Sequence, residues 1–433
     1  MQRVWTNELG QFAGERVRLA GWLHRLRRLS QVSFLILRDG KGLAQVVIED
    51  PALGEMLAAL HPETVLAVEG VVKAEAQAAG GFEIHAPQIE IIAPAAVPPP
   101  FEMFRPALKA QLPMLLDHEP VALRHPRQRS LFRLAAASMA GFRSALGAEG
   151  FVEIQTPKIV GGATEGGANV FTLDYFGRRA YLAQSPQFYK QTMVGVFERV
   201  FEVGPVFRAE PHDTPRHLSE YVSLDVELGF IQDHTTVMGV VAYVLRGMLA
   251  AIRAQAADAL ALLQVTLPEV PETIPTLHFG EAQELLYAET GEDTRQEPDL
   301  APAQERWLGE WAQRAYGSEF LFVTGYPMVK RPFYTHPDPL RPQYSNSFDL
   351  LFRGLELVTG GQRLHRYEDY LAALAARGLA PDSFATYLET FQHGMPPHGG
   401  FAIGLERWVA RLVHATNIRE TTLFPRDLQR LAP

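Results

Sequence analysis

Alternating apolar and polar positions dominate the chain between residues 16 and 92. Five short runs there show the two-residue period or the continuous apolar character of strands, among them RVRLAGWLHRL, VSFLILRD and LAQVVIED. The turn-forming pairs Asp39-Gly40 and Gly80-Gly81 separate neighbouring runs. Five strands in so short a segment predict a small barrel of the OB type.

A proline-dense stretch, AAVPPPFEMFRP, follows the barrel pattern and suits neither a helix interior nor a central strand. Beyond it the apolar spacing changes to three and four residues, as at Leu131, Leu134 and Phe142, which predicts a helix. We therefore predict an OB-fold domain over residues 1–100, a linker or hinge over 101–127 and a second domain over 128–433.

The second domain alternates strand-like and helical patterns without an internal repeat. Strand-like pairs such as RVFEVGPVFRAE and EYVSLDVELGF are joined by loops, whereas residues 235–263 form one long helical stretch. Strands joined by loops rather than by crossover helices favour an antiparallel arrangement. The predicted fold class is therefore α+β, with the barrel followed by an antiparallel sheet flanked by helices.

Composition narrows the range of functions for these 433 residues. The chain has no cysteine, which excludes disulfides, thiolate metal sites and cysteine nucleophiles. Its N-terminus lacks the pattern of a signal peptide and its longest apolar stretch is interrupted by charges, so we expect a cytoplasmic protein with no membrane partner.

Charge is unevenly distributed along the chain. The formal net charge is -9, yet residues 1–46 carry eight basic against three acidic side chains. This local excess is compatible with nucleic-acid binding by the barrel. Between Glu281 and Trp311 nine acids face two bases, which we interpret as a solvated face.

Three segments of the second domain could form a phosphate site, although the usual P-loop, dinucleotide and esterase signatures are absent. FRAE places Arg208 and Glu210 two residues apart, hence on one face of a strand, and an arginine there can hold a phosphate. The alternative is a cross-strand surface ion pair. GLER places Gly404 and Arg407 at a strand-to-helix transition, where backbone and guanidinium could meet a ligand.

The third segment, FDLLFRGLELVTGGQRLH, offers Asp349, Glu356 and Thr359 as ligands for Mg²⁺, a cation that prefers oxygen donors. On an unbroken strand Asp349 and Glu356, seven residues apart, point to opposite faces. Joint coordination therefore requires a kink, which Gly354 could provide. Because the two side chains point to opposite faces of an unbroken strand, the sequence supports Glu356 as a Mg²⁺ ligand better than Asp349.

Taken in order, these motifs resemble those of the class IIb aminoacyl-tRNA synthetases, and specifically the archaeal and eukaryotic aspartyl-tRNA synthetases. The long helix and strand ending at Pro157 match motif 1, FRAE with its loop matches motif 2, and GLER matches motif 3. The resemblance covers essentially the whole chain. It implies a six-stranded antiparallel catalytic sheet, a homodimer, and aspartate activation by ATP followed by transfer to tRNA.

The resemblance also implies roles for individual residues. Arg208, Glu210 and Arg407 would be the catalytic residues, with Arg208 at the α-phosphate and the substrate carboxylate, Glu210 at the adenine and Arg407 at the γ-phosphate. Glu356, Thr359 and Asp349 would hold Mg²⁺. The remaining ATP-binding positions would be Arg216, His217, Leu218 and Gly404.

Amino-acid specificity is the finer prediction. Lys190 and Arg363 would place two cations in one pocket, which suits a β-carboxylate, whereas a neutral amide would leave the two cations unpaired. An asparaginyl-tRNA synthetase is the nearest alternative. A tRNA-independent amido-ligase and a non-catalytic OB-fold nucleic-acid binder are more distant ones. The aspartate-binding set implied by the resemblance is Glu165, Ser185, Gln187, Lys190, Arg208, Thr359 and Arg363.

The barrel would read the anticodon of tRNA(Asp). Phe34 would stack on a base while Gln45 and Glu83 bond to base edges; Phe34 as plain barrel core is the competing interpretation. Where relatives that refuse tRNA(Asn) tend to have Trp and Lys, this chain has His24 and Ala79. This departure suggests that tRNA(Asn) is aspartylated as well.

Overall fold

The computed structural model describes residues 2–162 and 169–433. The chain divides into two compact units, Met1–Gln128 and Arg129–Pro433. The predicted linker, 101–127, therefore groups with the first unit rather than standing apart. Met103 and Leu116, both buried, lie within it.

The first unit is built on a closed five-stranded barrel. Its strands are β1 (Arg16–Arg28), β2 (Ser33–Arg38), β3 (Leu43–Ile48), β4 (Val65–Ala74) and β5 (Phe82–Ala93). They neighbour one another in the order β1-β2-β3-β5-β4, and only the β3 and β5 pair is parallel among them. Alternate positions such as Leu35, Leu37 and Val46 fill the barrel, as the two-residue period predicts. Its helices are α1 (Pro51–Ala58), α2 (Leu112–Asp117) and α3 (Glu119–Ala122).

The second unit contains an eight-stranded mixed sheet, a small three-stranded sheet and most of the helices. The helices are α4 (Pro126–Ala148), α5 (Gln187–Phe197), α6 (His234–Gln255), α7 (Ala257–Leu263), α8 (Phe279–Thr290), α9 (Pro302–Tyr316), α10 (Tyr367–Ala375), α11 (Ala385–Gln392) and α12 (Leu405–Leu412). The strands are β6 (Val152–Glu153), β7 (Ile159–Val160), β8 (Thr172–Tyr175), β9 (Arg178–Leu182), β10 (Arg199–Phe207), β11 (Glu220–Gly229), β12 (Thr276–His278), β13 (Phe320–Thr324), β14 (Ser347–Phe352), β15 (Leu355–Gln362) and β16 (His398–Gly404).

The large sheet has the order β12-β13-β14-β15-β16-β11-β10-β6. Its six central strands, β13 to β10 in that order, are antiparallel throughout, as expected. The expectation of six strands was incomplete, because β12 and β6 add one parallel strand at each edge. Both are only two or three residues long, too short to show a period in the sequence.

Helix α6 packs against the large sheet and forms much of its core. Val237, Val241, Val244 and Met248 recur at helical spacing and are fully buried. By length and composition alone this helix could cross a membrane, but its buried face belongs to the core. It is therefore a core helix.

Strands β14 and β15 form a hairpin rather than one kinked strand. Arg353 and Gly354 make its turn with φ of 49° and 69°, the left-handed values that a two-residue hairpin turn requires. The register shifts by one residue between Leu350 and Leu351, whose partners are Val358 and Glu356. An unbroken strand would place Asp349 and Glu356 on opposite faces, but the hairpin with this bulge brings Glu356 to the same face as Asp349.

Candidate active site

A cavity of about 240 Å³ lies in the second unit where strands β11, β15 and β16 approach α12. The structure brings all the residues predicted to bind ATP to its walls. They are Arg208, Glu210, Arg216, His217, Leu218, Glu356, Gly404 and Arg407. Thr359, Tyr221 and Ser223 line it as well.

Arg208 and Glu210 follow the end of β10 rather than lying on one face of it. The Arg208 backbone N–H donates to the carbonyl of Ser219 at 2.9 Å, which keeps this connection beside β11. The Arg208 guanidinium lies 3.7 Å from the Glu210 carboxylate and faces the Tyr221 ring. The pair is thus a wall of the cavity and is partly open to solvent, which leaves both groups accessible to a nucleotide.

Arg407 occupies the first turn of α12 and closes the cavity on the β15 side. Its guanidinium donates to the Glu356 carbonyl at 2.8 Å and lies 3.5 Å from the Glu356 carboxylate. The Thr359 hydroxyl donates to the same carboxylate at 3.1 Å. Helix α12 is held to β11 by Glu406, which precedes Arg407 and whose carboxylate accepts a hydrogen bond from the Val222 N–H.

His217 lies in the loop between β10 and β11. Its Nε2 is 3.5 Å from the Glu210 carboxylate and its Nδ1 is 2.6 Å from the Thr214 hydroxyl. Burial lowers the pKa of His217, although the Glu210 carboxylate opposes that shift. The ring is therefore suited to hydrogen bonding in its neutral form.

Asp349 is buried behind Glu356 and outside the cavity wall. Its Oδ2 accepts from Arg331 at 3.0 Å, while Oδ1 is buried without a hydrogen bond from any described residue. Burial raises the pKa of Asp349 to about 6, an effect that Arg331 opposes and Glu356 reinforces. Arg331 gave no signal in the sequence, because only the folded chain places it against this strand.

Oxygen donors at this place fit a hard divalent cation. Glu356, Thr359 and the orphan oxygen of Asp349 lie on one face of the β14–β15 hairpin, and carboxylate and hydroxyl oxygens suit Mg²⁺. Within residues 2–162 and 169–433 no three His, Asp or Glu side chains form a metal cage on their own. A cation here would thus complete its shell with water and ligand phosphates.

Lys190 of α5 and Arg363 after β15 converge on one buried carboxylate, that of Glu227. The distance from Lys190 Nζ to Glu227 is 3.4 Å and that from Arg363 Nε is 3.0 Å. Lys190 Nζ also lies 2.9 Å from Asp225. The two cations are therefore together, as predicted, but the pocket is not doubly cationic, since Asp225 and Glu227 balance their charges.

Asp225 and Glu227 were missed by the sequence reasoning although a signal was present. Both alternate with the buried apolar residues of β11, Leu224, Val226 and Leu228, where buried carboxylates are unexpected. Asp225 connects this cluster to the cavity, because Ser223, which lines the cavity, donates to it at 2.5 Å. The cavity and the cation cluster are thus neighbouring parts of one site.

A buried amide network lies beside the cation cluster. Gln187 is almost fully buried and donates to Gln191 at 3.0 Å, and Gln191 in turn contacts His398 Nε2 at 3.0 Å. Burial lowers the pKa of His398 to about 4, so the neutral ring can accept that hydrogen bond. Ser185 is half-buried just before α5, whereas Glu165 lies outside the described residues.

On the barrel, three of the predicted anticodon residues form one cluster. Gln45 donates to Glu83 at 2.9 Å, and Arg27 contacts Gln45 and covers the half-buried Phe34 ring. His85 lies 2.6 Å from Glu83. Neither Arg27 nor His85 was predicted, because the residues meet only through the pairing of β1, β2, β3 and β5.

His24 does not join this cluster. It is buried, with Nδ1 3.3 Å from the Arg38 guanidinium, which is itself bound by Glu63. His24 is only 6% exposed, which leaves little of its surface for direct contact with RNA. Ala79 lies in a short 3-10 turn just before β5.

Comparison with known proteins identifies the family. The model of the tRNA synthetases class II (D, K and N) matches residues 112–428, and that of the OB-fold nucleic acid binding domain matches residues 17–92. The chain belongs to the class II tRNA synthetases. These matches confirm the OB-type barrel and the class II resemblance. As a member of this family the chain is an aminoacyl-tRNA synthetase, a soluble enzyme that joins an amino acid to tRNA with ATP as co-substrate.

Several relatives match over essentially the full length. The chain is 47% identical over 431 residues to the aspartate–tRNA(Asp/Asn) ligase of Thermus thermophilus, covering 100% of both. It is 44% identical to the ligase of the same name from Deinococcus radiodurans, covering 100% of this chain and 99% of that one. With the aspartate–tRNA(Asp) ligase of Pyrococcus abyssi it shares 38% identity, covering 97% of each.

Solved structures share the fold across two amino-acid specificities. Asparaginyl-tRNA synthetase from Pyrococcus horikoshii, complexed with asparaginyl-adenylate, matches 100% of both chains with a TM-score of 0.93 and 30% identity. Aspartyl-tRNA synthetase from Entamoeba histolytica matches 100% of this chain and 93% of its own, with a TM-score of 0.88 and 30% identity. The fold alone therefore does not select the amino acid.

Proposed function

We propose that this synthetase activates L-aspartate with ATP and charges tRNA(Asp), and also tRNA(Asn), with the resulting aspartyl group. The observation that carries the choice of aspartate is the meeting of Lys190 and Arg363 at Glu227, beside the phosphate cavity. The names of the Thermus, Deinococcus and Pyrococcus relatives support the choice of aspartate. Those of the Thermus and Deinococcus relatives also support the charging of tRNA(Asn).

Charge balance favours aspartate over asparagine. Lys190, Arg363, Asp225 and Glu227 sum to zero, and all four are buried. Besides the reacting carboxylate, aspartate brings one ammonium and one β-carboxylate and leaves the balance unchanged. Asparagine lacks the β-carboxylate, so its ammonium would be an uncompensated positive charge in a buried site.

In the first step, an oxygen of the aspartate α-carboxylate attacks the α-phosphorus of ATP, and the bond to the bridging oxygen of pyrophosphate breaks. Negative charge that develops at the α-phosphate is met by Arg208, and Arg216 and Arg407 hold the leaving phosphates. Glu210, on the same wall as Arg208, is available to accept from the adenine amino group. No side-chain nucleophile takes part.

In the second step, a ribose hydroxyl at the 3′ end of tRNA attacks the activated carbonyl and AMP departs with the electrons of the broken bond. Glu356, Thr359 and Asp349 would hold Mg²⁺, which would neutralise phosphate charge when bound.

The Phe34, Gln45 and Glu83 cluster would read the anticodon, with Phe34 stacking on a base. We also propose that the enzyme is a cytoplasmic homodimer.

The proposal is tested by charging purified tRNA(Asp) and tRNA(Asn) separately with labelled aspartate and, in parallel reactions, with labelled asparagine. Aspartyl-tRNA(Asp) is the expected product, and its absence together with asparaginylation of tRNA(Asn) would establish the asparaginyl alternative. Aspartylation of tRNA(Asn) is expected too. Since His24 is buried, that expectation now depends on the Asp/Asn names of relatives rather than on His24 itself. No aspartyl-tRNA(Asn) at high enzyme concentration would refute it.

A further inference from the structure

The acidic segment around residues 281–311 contributes one buried carboxylate that binds Arg216, a residue of the cavity wall. Its second helix, α9, begins at Pro302 and carries Glu305 in its first turn. Unlike most acids of this segment, Glu305 is only 6% exposed. The interpretation of the whole segment as a solvated face is therefore wrong for Glu305.

Helix α9 is fixed against the hairpin that carries Glu356. A Cβ atom at Gly309 would lie 2.5 Å from the Gly354 backbone, and one at Gly354 would lie 2.8 Å from the Arg306 Cα. Two residues without side chains thus let the helix and the turn touch directly. This contact sets the position of Glu305 relative to β15.

The Glu305 carboxylate joins two parts of the cavity. Its Oε2 accepts from the Arg216 guanidinium at 3.2 Å and from the Glu356 backbone N–H at 3.2 Å. Arg216 comes from the loop between β10 and β11, and its side chain is 31% exposed. An arginine on a loop has many conformations open to it, and a fixed carboxylate restricts them to the cavity.

We propose that Glu305 is a positioning residue for ATP, which holds the Arg216 guanidinium at the β15 edge where the terminal phosphates would arrive. The Glu305 carboxylate takes one N–H group of the Arg216 guanidinium, at Nη2, and leaves the others to phosphate. Glu305 keeps this bond and its bond to the Glu356 N–H when the phosphates arrive. This role rests on the proposed function, because it presumes that Arg216 meets ATP phosphates.

The alternative is that Glu305 acts only as a competing negative charge. Its removal would then make the cavity more positive and improve ATP use. The two views predict opposite signs for the same variant. If Glu305 positions Arg216, its loss costs transition-state stabilisation, because ATP must then order a free side chain.

The test is aspartate-dependent exchange of pyrophosphate into ATP by the full-length protein carrying Glu305→Gln. The glutamine keeps an oxygen for the Glu356 N–H but loses the charge that holds Arg216. We expect kcat/KM for ATP to fall about tenfold, the scale of one charge-assisted hydrogen bond, with KM for aspartate unchanged. The matched control is Glu310→Gln on the same helix, whose carboxylate is 70% exposed and should tolerate the change.

A double variant separates positioning from a structural role. In an Arg216→Gln background, Glu305→Gln should have no further effect, because its target is gone. An undiminished second loss, or an unchanged or higher kcat/KM for ATP in the single variant, would overturn the inference. If the wild-type protein itself lacks aspartate-dependent exchange, the proposed function fails instead.

Discussion

Replacing Lys190 with methionine tests both the energetics and the chemistry of the cation cluster. Lys190 is 1% exposed, and its Nζ lies 2.9 Å from Asp225 and 3.4 Å from Glu227. Lys190→Met fills a similar volume but leaves the four-membered cluster with one buried carboxylate too many. Removing one member of a buried pair typically costs ~3–5 kcal/mol, a large share of the stability of a domain.

Restoring the charge balance should separate stability from activity. In Lys190→Met/Asp225→Asn the excess buried charge is gone, so we expect more than half of the lost unfolding free energy to return. Aspartate-dependent pyrophosphate exchange should stay absent in both variants, because the side chain proposed to meet the β-carboxylate is missing. Urea unfolding followed by circular dichroism and the exchange assay measure the two effects.

Lys330→Met provides a matched control for Lys190→Met. Lys330 is 46% exposed and pairs with Asp299 at 3.6 Å, so its replacement should cost at most about 1 kcal/mol. Exchange activity that survives Lys190→Met, or a stability equal to that of the control, would refute the reasoning. So would a double variant no more stable than the single one.

Three further predictions follow from individual contacts. Phe34→Ala should raise KM for tRNA about tenfold or more, the scale of one base stack, and leave amino-acid-dependent exchange unchanged in the same preparation. Gly400→Ala would place a Cβ atom 2.2 Å from the Glu227 carboxylate, so aspartate activation should fall about 100-fold, and normal kinetics would contradict the packing. Burial raises the pKa of Glu406 to about 7, above its usual 4.5. Since the folded state binds this proton more tightly, the stability that Glu406 contributes is lost as the pH rises. The free energy of unfolding of the wild type should fall by about 2.5 kcal/mol relative to that of Glu406→Gln between pH 5 and pH 8, and parallel pH profiles would contradict this.

The strand patterns of both units could be predicted because alternation is local. Leu35 and Leu37 alternate with partly exposed neighbours, and the barrel follows from five such runs. The β14–β15 hairpin was harder, since Arg353-Gly354 lacks the usual Asn-Gly or Asp-Gly signature and Gly354 fits a kink equally well. Only strand pairing, which joins residues distant in sequence, shows the turn.

Charged residues of the site could likewise be predicted only where a local motif marks them. Arg208, Glu356 and Arg407 stand in motifs and were found from the sequence, and the structure brings them to one cavity. Glu305 and Arg331 stand in no motif, and their contacts depend on how distant segments pack. A charge run in the sequence thus gives the average environment of its members and not that of one residue on a docked helix.

The choice of amino acid is tested most directly by amino-acid-dependent exchange of pyrophosphate into ATP on the purified wild-type protein. Aspartate and asparagine are compared at matched concentrations. The buried set of Lys190, Arg363, Asp225 and Glu227 predicts exchange with aspartate, and kcat/KM at least about 100-fold lower with asparagine. Exchange supported equally well by asparagine, or by asparagine alone, would contradict the account.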